Sequence, residues 1–149
     1  MKTVIPIEIV TLGDDKSFHL LVVANIDGKK YDLLIDTGAS HSIFDATLFP
    51  VLDKDKLAGL KIESAGIHSG ELNSSFGTIK KFRLGKLKYN DLTVILIDLT
   101  HVNELYKRFT KKRVAGLIGS DFLLEHKALI DYKNLELVLK KRSNKSKLL

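Results

Sequence analysis

From Phe18 to Asp27 the chain runs Phe-His-Leu-Leu-Val-Val-Ala-Asn-Ile-Asp. This stretch is β-branched and apolar, and Asp27-Gly28 supplies the positive φ of a tight turn before a second strand from Tyr31 to Ile35. The pattern predicts a hairpin. Its second strand carries Leu33-Leu34-Ile35, apolar on both faces, and is expected to be buried. It ends at Asp36, a charge whose burial is costly without a use for it.

Residues 45–60 read as short helix or loop around Pro50, with Gly59 as a stop. Strand patterns return at 60–63, Ile79–Leu84 and Leu92–Ile97, punctuated by Gly66, Gly70, Gly77 and Gly85. Thr100 is expected to cap a helix whose Val102, Leu105, Tyr106 and Phe109 follow the spacing of one buried face. A short apolar strand, Val114–Gly119, leads into a short helix with Ser120 or Asp121 as its cap and Glu125 inside. Ala128–Tyr132 and Leu135–Lys140, joined by Lys133-Asn134, form a closing hairpin. No internal repeat is present.

The length of 149 residues suits one domain with a single core. We expect that domain over residues 1–139. The net charge of +6 raises nucleic acid as a partner, but Lys140, Lys141, Arg142, Lys145 and Lys147 gather much of the excess into residues 140–149. Such a tail reads as a solvated, poorly ordered end, which makes nucleic acid an unlikely ligand of the body. No apolar run is long enough to span a bilayer, and Pro6 and Glu8 break the N-terminal apolar stretch that a secretory signal requires. With no cysteine, disulfides and thiolate chemistry are excluded, which fits a cytoplasmic protein.

The chemistry is carried by two apolar strands that each end in a glycine turn: Leu33-Leu34-Ile35-Asp36-Thr37-Gly38-Ala39-Ser40 and Gly116-Leu117-Ile118-Gly119. Together with Gly119-Ser120-Asp121-Phe122-Leu123 and Ala128-Leu129-Ile130-Asp131-Tyr132, they resemble the retropepsin-like, or retroviral-type, aspartic proteases over roughly residues 18–139. The resemblance implies an all-β closed barrel with one or two short helices. It also implies Asp36 as the catalytic carboxylate, Thr37, Gly38 and Ala39 as the supporting loop, and Leu117, Ile118 and Gly119 as the second motif. A flap over the substrate is expected within 64–77, with Gly66, Ile67, His68 and Gly70 as its candidates.

Amide hydrolysis by water needs one group to take a proton and another to protonate the carbonyl oxygen. Two carboxylates sharing one proton do both. The chain holds one Asp-Thr-Gly, so the resemblance implies a homodimer with one Asp36 from each copy. Its substrate would be a peptide or protein, with no cofactor.

Other readings weigh against this one. Alone, Asp36 would read as a turn-capping residue. Asp121 reads as a helix cap, not a second catalytic acid. The five histidines lack paired metal-ligand spacing, so no metal is expected. Asp53-Lys54-Asp55 lacks the glycine and closing glutamate of a calcium loop. Ser40 and Ser42 flank His41 without the surroundings of a serine nucleophile. The alternative function is a dimeric peptide- or partner-binding module of the same fold with little or no hydrolysis.

Overall fold

The computed structural model describes residues 1–13, 17–52 and 75–141. Among these residues ten strands and two helices follow in the order β1 (Lys2–Pro6), β2 (Glu8–Leu12), β3 (Ser17–Ile26), β4 (Lys29–Ile35), β5 (Ile43–Asp45), β6 (Ser75–Leu84), β7 (Leu87–Ile97), α1 (Thr100–Phe109), β8 (Val114–Ile118), α2 (Ser120–Glu125), β9 (Leu129–Asp131) and β10 (Glu136–Lys140). The expected all-β fold is present. Strands β3-β4-β8-β5-β7-β6 form a sheet that β3 and β6 close into a six-stranded barrel. β2 extends this sheet as an edge strand paired with β3.

Leu33, Phe44, Ile79, Phe82, Leu84, Leu96 and Ile118 fill the barrel. Each such side chain contributes about 1.5–3 kcal/mol through its removal from water. The Asp27-Gly28 turn forms as its dipeptide predicts, with φ of 50° and 86°, and Asn25 Oδ1 accepts the Gly28 N–H at 3.2 Å.

A second core lies outside the barrel, where α1 covers Val10, Leu12, Leu21 and Val114. Of the four apolar positions expected to face inward, Tyr106 is fully buried and Val102 half-buried, while Leu105 and Phe109 are exposed. A single helix resting on a convex sheet buries a narrower stripe than its apolar spacing permits. The Tyr106 hydroxyl bonds His19 Nδ1 at 2.6 Å, and burial pushes its pKa up to about 12. Thr100 begins α1 and is not its cap: Leu99 holds that position without a side-chain bond, and the Asp98 carboxylate accepts the Thr100 N–H and hydroxyl.

The N-terminal segment forms strands despite Pro6. β1 is an edge of a small sheet, β1-β10-β9, where the missing N–H of proline is tolerated. Lys140 lies within β10 opposite Lys2, and Lys141 donates to the Met1 carbonyl at 2.9 Å. Residues 142–149 of the expected tail lie outside the described residues. Beneath this sheet His126 is buried, its Nδ1 bonded to the Lys140 carbonyl at 2.9 Å and its Nε2 to the Tyr89 hydroxyl. Among the described residues no helix is long and apolar enough to cross a membrane.

Candidate active site

The site begins with the way β8 is inserted. It lies between β4, to which it runs parallel, and β5, to which it runs antiparallel. The segment 36–42 therefore leaves β4, passes the end of β8 and returns along β5. Gly116 makes this close packing feasible: a Cβ there would sit 2.7 Å from the Ile43 carbonyl oxygen and 3.0 Å from the Phe44 ring.

Asp36 is tied to the neighbouring strand by its own N–H, which donates to the Ile118 carbonyl at 2.9 Å. Its Oδ1 accepts the Gly38 N–H at 3.1 Å, and its carbonyl accepts the Ala39 N–H at 3.1 Å. The Asp36 side chain is half-buried, whereas Thr37 and Gly38 are exposed. No other donor or cation among the described residues reaches the carboxylate, so none of them engages Oδ2.

The rest of the loop is anchored to the start of α2. Ser120 N–H donates to the Ala39 carbonyl at 2.8 Å. Ser42, at the far end, is buried; its N–H reaches both Asp121 carboxylate oxygens, at 3.0 and 2.9 Å, and its hydroxyl donates to Oδ1 at 2.7 Å. The same hydroxyl accepts the Gly119 N–H at 2.9 Å. The segment is thus fixed at its start, middle and end.

Asp121 is accordingly not the helix cap expected from sequence. Gly119 occupies the cap position without a side-chain bond, and the Asp121 carboxylate, within the first turn, holds Ser42 while its Oδ1 also accepts the Phe122 N–H at 2.7 Å. Charge-assisted bonds to the buried Ser42 outweigh a capping role on a six-residue helix. Ser42 is likewise committed to this network. Neither role has a local signal, because the partners are 79 residues apart.

The second motif is divided among three tasks. Leu117 packs against the α1 cluster, Ile118 belongs to the barrel core, and Gly119 lies beneath the loop. A Cβ at Gly119 would come within 2.8 Å of the Ala39 oxygen and of the His41 carbonyl carbon and oxygen. The flap candidates Gly66, Ile67, His68 and Gly70 lie outside the described residues, as do Gly59, the expected strand at 60–63 and Asp53-Lys54-Asp55. Gly77, at the end of the expected flap stretch, is a buried β6 residue opposite Val94.

A buried carboxylate, Asp45 at the end of β5, has no signal in the sequence. Its Oδ1 accepts the Thr47 N–H at 3.0 Å and the Leu99 N–H at 3.2 Å. Arg113 Nη2 is 3.6 Å from Oδ2, an ion pair without a hydrogen bond. These partners make Asp45 a fastener of β5 to the start of α1. Among the described residues no three His, Asp or Glu side chains converge as metal ligands would.

The geometry can be set beside known proteins. No curated protein matches the chain. Two solved structures are similar to it. One is a retropepsin-like aspartic protease from Rickettsia conorii, 18% identical with a TM-score of 0.44 over 93% of this chain and 92% of that one. The other is the retroviral protease-like domain of Ddi1 from Leishmania major, 18% identical with a TM-score of 0.46 over 82% of this chain and 90% of that one. A family model described as aspartyl protease matches residues 22–122. That span runs from the middle of β3 through the Asp36 loop and β8 to Phe122, and over it the chain belongs to the aspartyl protease family.

Proposed function

We propose that the protein is an aspartic endopeptidase in which two copies each contribute Asp36 and water between the two carboxylates attacks a peptide bond. The observation that carries this reading is the Asp36 loop itself: held along its length, exposed at Thr37-Gly38, and with one carboxylate oxygen that no described residue engages. One carboxylate, ionised, takes a proton from the water. The other, neutral, donates its proton to the carbonyl oxygen. The tetrahedral adduct then collapses with proton transfer to the leaving amine.

Because one chain has one such loop, the two-fold dimer is part of the mechanism. Thr37 and Gly38 lie on the exposed side, where a partner loop and an extended substrate would meet. The substrate backbone would pair in the manner of an added strand. Gly66, Ile67, His68 and Gly70 are assigned to a cover that excludes water, on sequence grounds.

The test compares the native chain with Asp36→Asn for cleavage of an unbiased peptide library and for dimerisation by sedimentation. We expect cleavage to fall by at least ~100-fold while dimers persist. Cleavage that survives the substitution refutes the mechanism. Dimers of the native chain that cleave nothing favour the binding module.

A further inference from the structure

The barrel end remote from Asp36 carries a row of cations that the proposed chemistry does not use. Asn25 on β3 is opposite Lys30 on β4 and also opposite Arg83 on β6. Arg83 in turn is opposite Lys88 on β7. These residues occupy one transverse row over four strands, about 14 Å across at the usual strand spacing. Ala24, Ile26, Phe82, Leu84 and Leu87 flank them and are buried. The row therefore points outward, and Lys30, Arg83 and Lys88 are exposed, as is Lys81 beside them.

Like charges directly opposite on antiparallel strands are destabilising, and Arg83 faces Lys88. Neutralising partners are absent: among the described residues none of Lys30, Lys81, Arg83 and Lys88 has an ion pair. Two acids lie nearby, and neither forms an ion pair with these four cations. The Asp27 carboxylate accepts the Lys81 N–H at 2.9 Å, and Asp32 lies 4.0 Å from Lys112. An anionic ligand would relieve the repulsion. Asn25 adds an amide to the row, and no exposed aromatic side chain stands in it on which bases of a single-stranded nucleic acid would stack.

We propose that this face, centred on Arg83 and Lys88 with Lys30 and Lys81, is a docking surface for an acidic stretch of the protein substrate. The proposal rests on the proteolytic reading for its purpose, since a protease meets protein chains. Lys30 and Asp36 are separated along β4 by about 20 Å. An extended substrate would thus hold its acidic segment several residues away from the bond to be cut, and the contact would favour binding without touching the chemistry.

The test uses the full chain and a fluorescent oligoglutamate peptide, followed by anisotropy at low and high salt. Arg83→Glu with Lys88→Glu is compared with Lys107→Glu plus Arg108→Glu, an equal charge change on the exposed side of α1. We expect salt-sensitive binding weakened at least about tenfold by the first pair and less than about twofold by the second. Arg83→Gln with Lys88→Gln, which removes the repulsion and leaves no new charge, should weaken binding in the same direction without unfolding.

Equal weakening by both charge reversals, or no binding by the native chain, overturns the proposal. So does tighter binding of single-stranded DNA at the same ionic strength, which would assign the face to nucleic acid. Repeating the titration with Asp36→Asn separates the two hypotheses, because docking should survive there. With a cleavable peptide, an acidic extension should lower KM and leave kcat unchanged, and the Arg83/Lys88 reversal should abolish that difference. If no peptide is cleaved, the proteolytic reading fails and the anisotropy alone decides the face.

Discussion

β4 runs from the Asp27-Gly28 turn to Asp36, and its two ends are held by different means. At the start, two residues with positive φ reverse the chain, and Asn25, three residues from Gly28, closes the turn with its side chain. Sequence-distant help comes from β6, where Asp27 and Lys81 exchange two bonds, the Lys81 N–H to the Asp27 carboxylate and the Asp27 N–H to the Lys81 carbonyl. At the other end nothing local suffices. The loop after Ile35 is held by the Ile118 carbonyl, the Ser120 N–H, Gly119 and Asp121, with side-chain contacts linking residues 77 and 79 positions apart. The first end is a turn that any hairpin could carry. The second depends on the barrel having closed, so its geometry is set by the fold.

Substitutions at the two ends should separate these regimes. Gly119→Ala is expected to be the most damaging: its Cβ would overlap backbone atoms at 2.8 Å. We expect a stability loss of about 1–3 kcal/mol from the forced backbone shift and a fall in cleavage of about 100-fold from a displaced loop. Chemical denaturation and peptide cleavage read the two effects. Full activity in this variant would show that the loop does not depend on close passage over β8.

Next is the clamp. Asp121→Ala leaves the buried Ser42 N–H and hydroxyl without their acceptor, at a cost of about 1.5–3 kcal/mol. We expect kcat to fall more than KM rises, because the loop bearing Asp36 is loosened while the substrate-binding surface is unchanged. Ser42→Ala should act in the same direction, and the double variant should fall short of the sum, since both remove one network. Additive losses would mean that the two residues act separately.

At the turn, Gly28→Ala meets no atom within 4 Å but requires an L residue at φ of 86°. The expected cost is about 1–2 kcal/mol, with cleavage at the native level after correction for folded protein. A large loss of activity here would break the contrast between the ends of β4.

The smallest effect lies midway. Asp32 has its pKa raised from 3.8, first by burial, then lowered by Lys112 and raised by Glu8. A carboxylate raised on folding adds stability below 3.8 and loses it as pH rises through the folded value. Its contribution therefore falls just above pH 3.8. Asp32→Asn should remove that part of the slope in a pH series of denaturation midpoints. An unchanged slope would mean that Lys112 offsets both the burial and the Glu8 charge.

Much of this molecule was legible without coordinates because its signals are local. The hairpin around Asp27-Gly28, the apolar β4 ending at Asp36, the strand Val114–Ile118 and the closing hairpin all follow from side-chain period, β-branched residues and turn chemistry within a few positions. The motif pair that indicates the family is also local, each half being a short apolar run with its glycine. The strands β1 and β2 were missed because Pro6 and Glu8 interrupt the pattern, and edge positions tolerate such residues.

What required the tertiary structure was every role set by a distant partner. Asp121 and Ser42 hold the loop, Asp45 joins β5 to α1, Leu105 and Phe109 stay exposed, and Lys30, Arg83 and Lys88 align across four strands. The sequence by itself determined the hairpin strands around Asp27-Gly28, the strand before Gly119, the closing hairpin and the single Asp-Thr-Gly. Only barrel closure decided which residues meet, because hydrogen bonds and charge rows depend on positions in space, and the chain brings those together after local preference is exhausted.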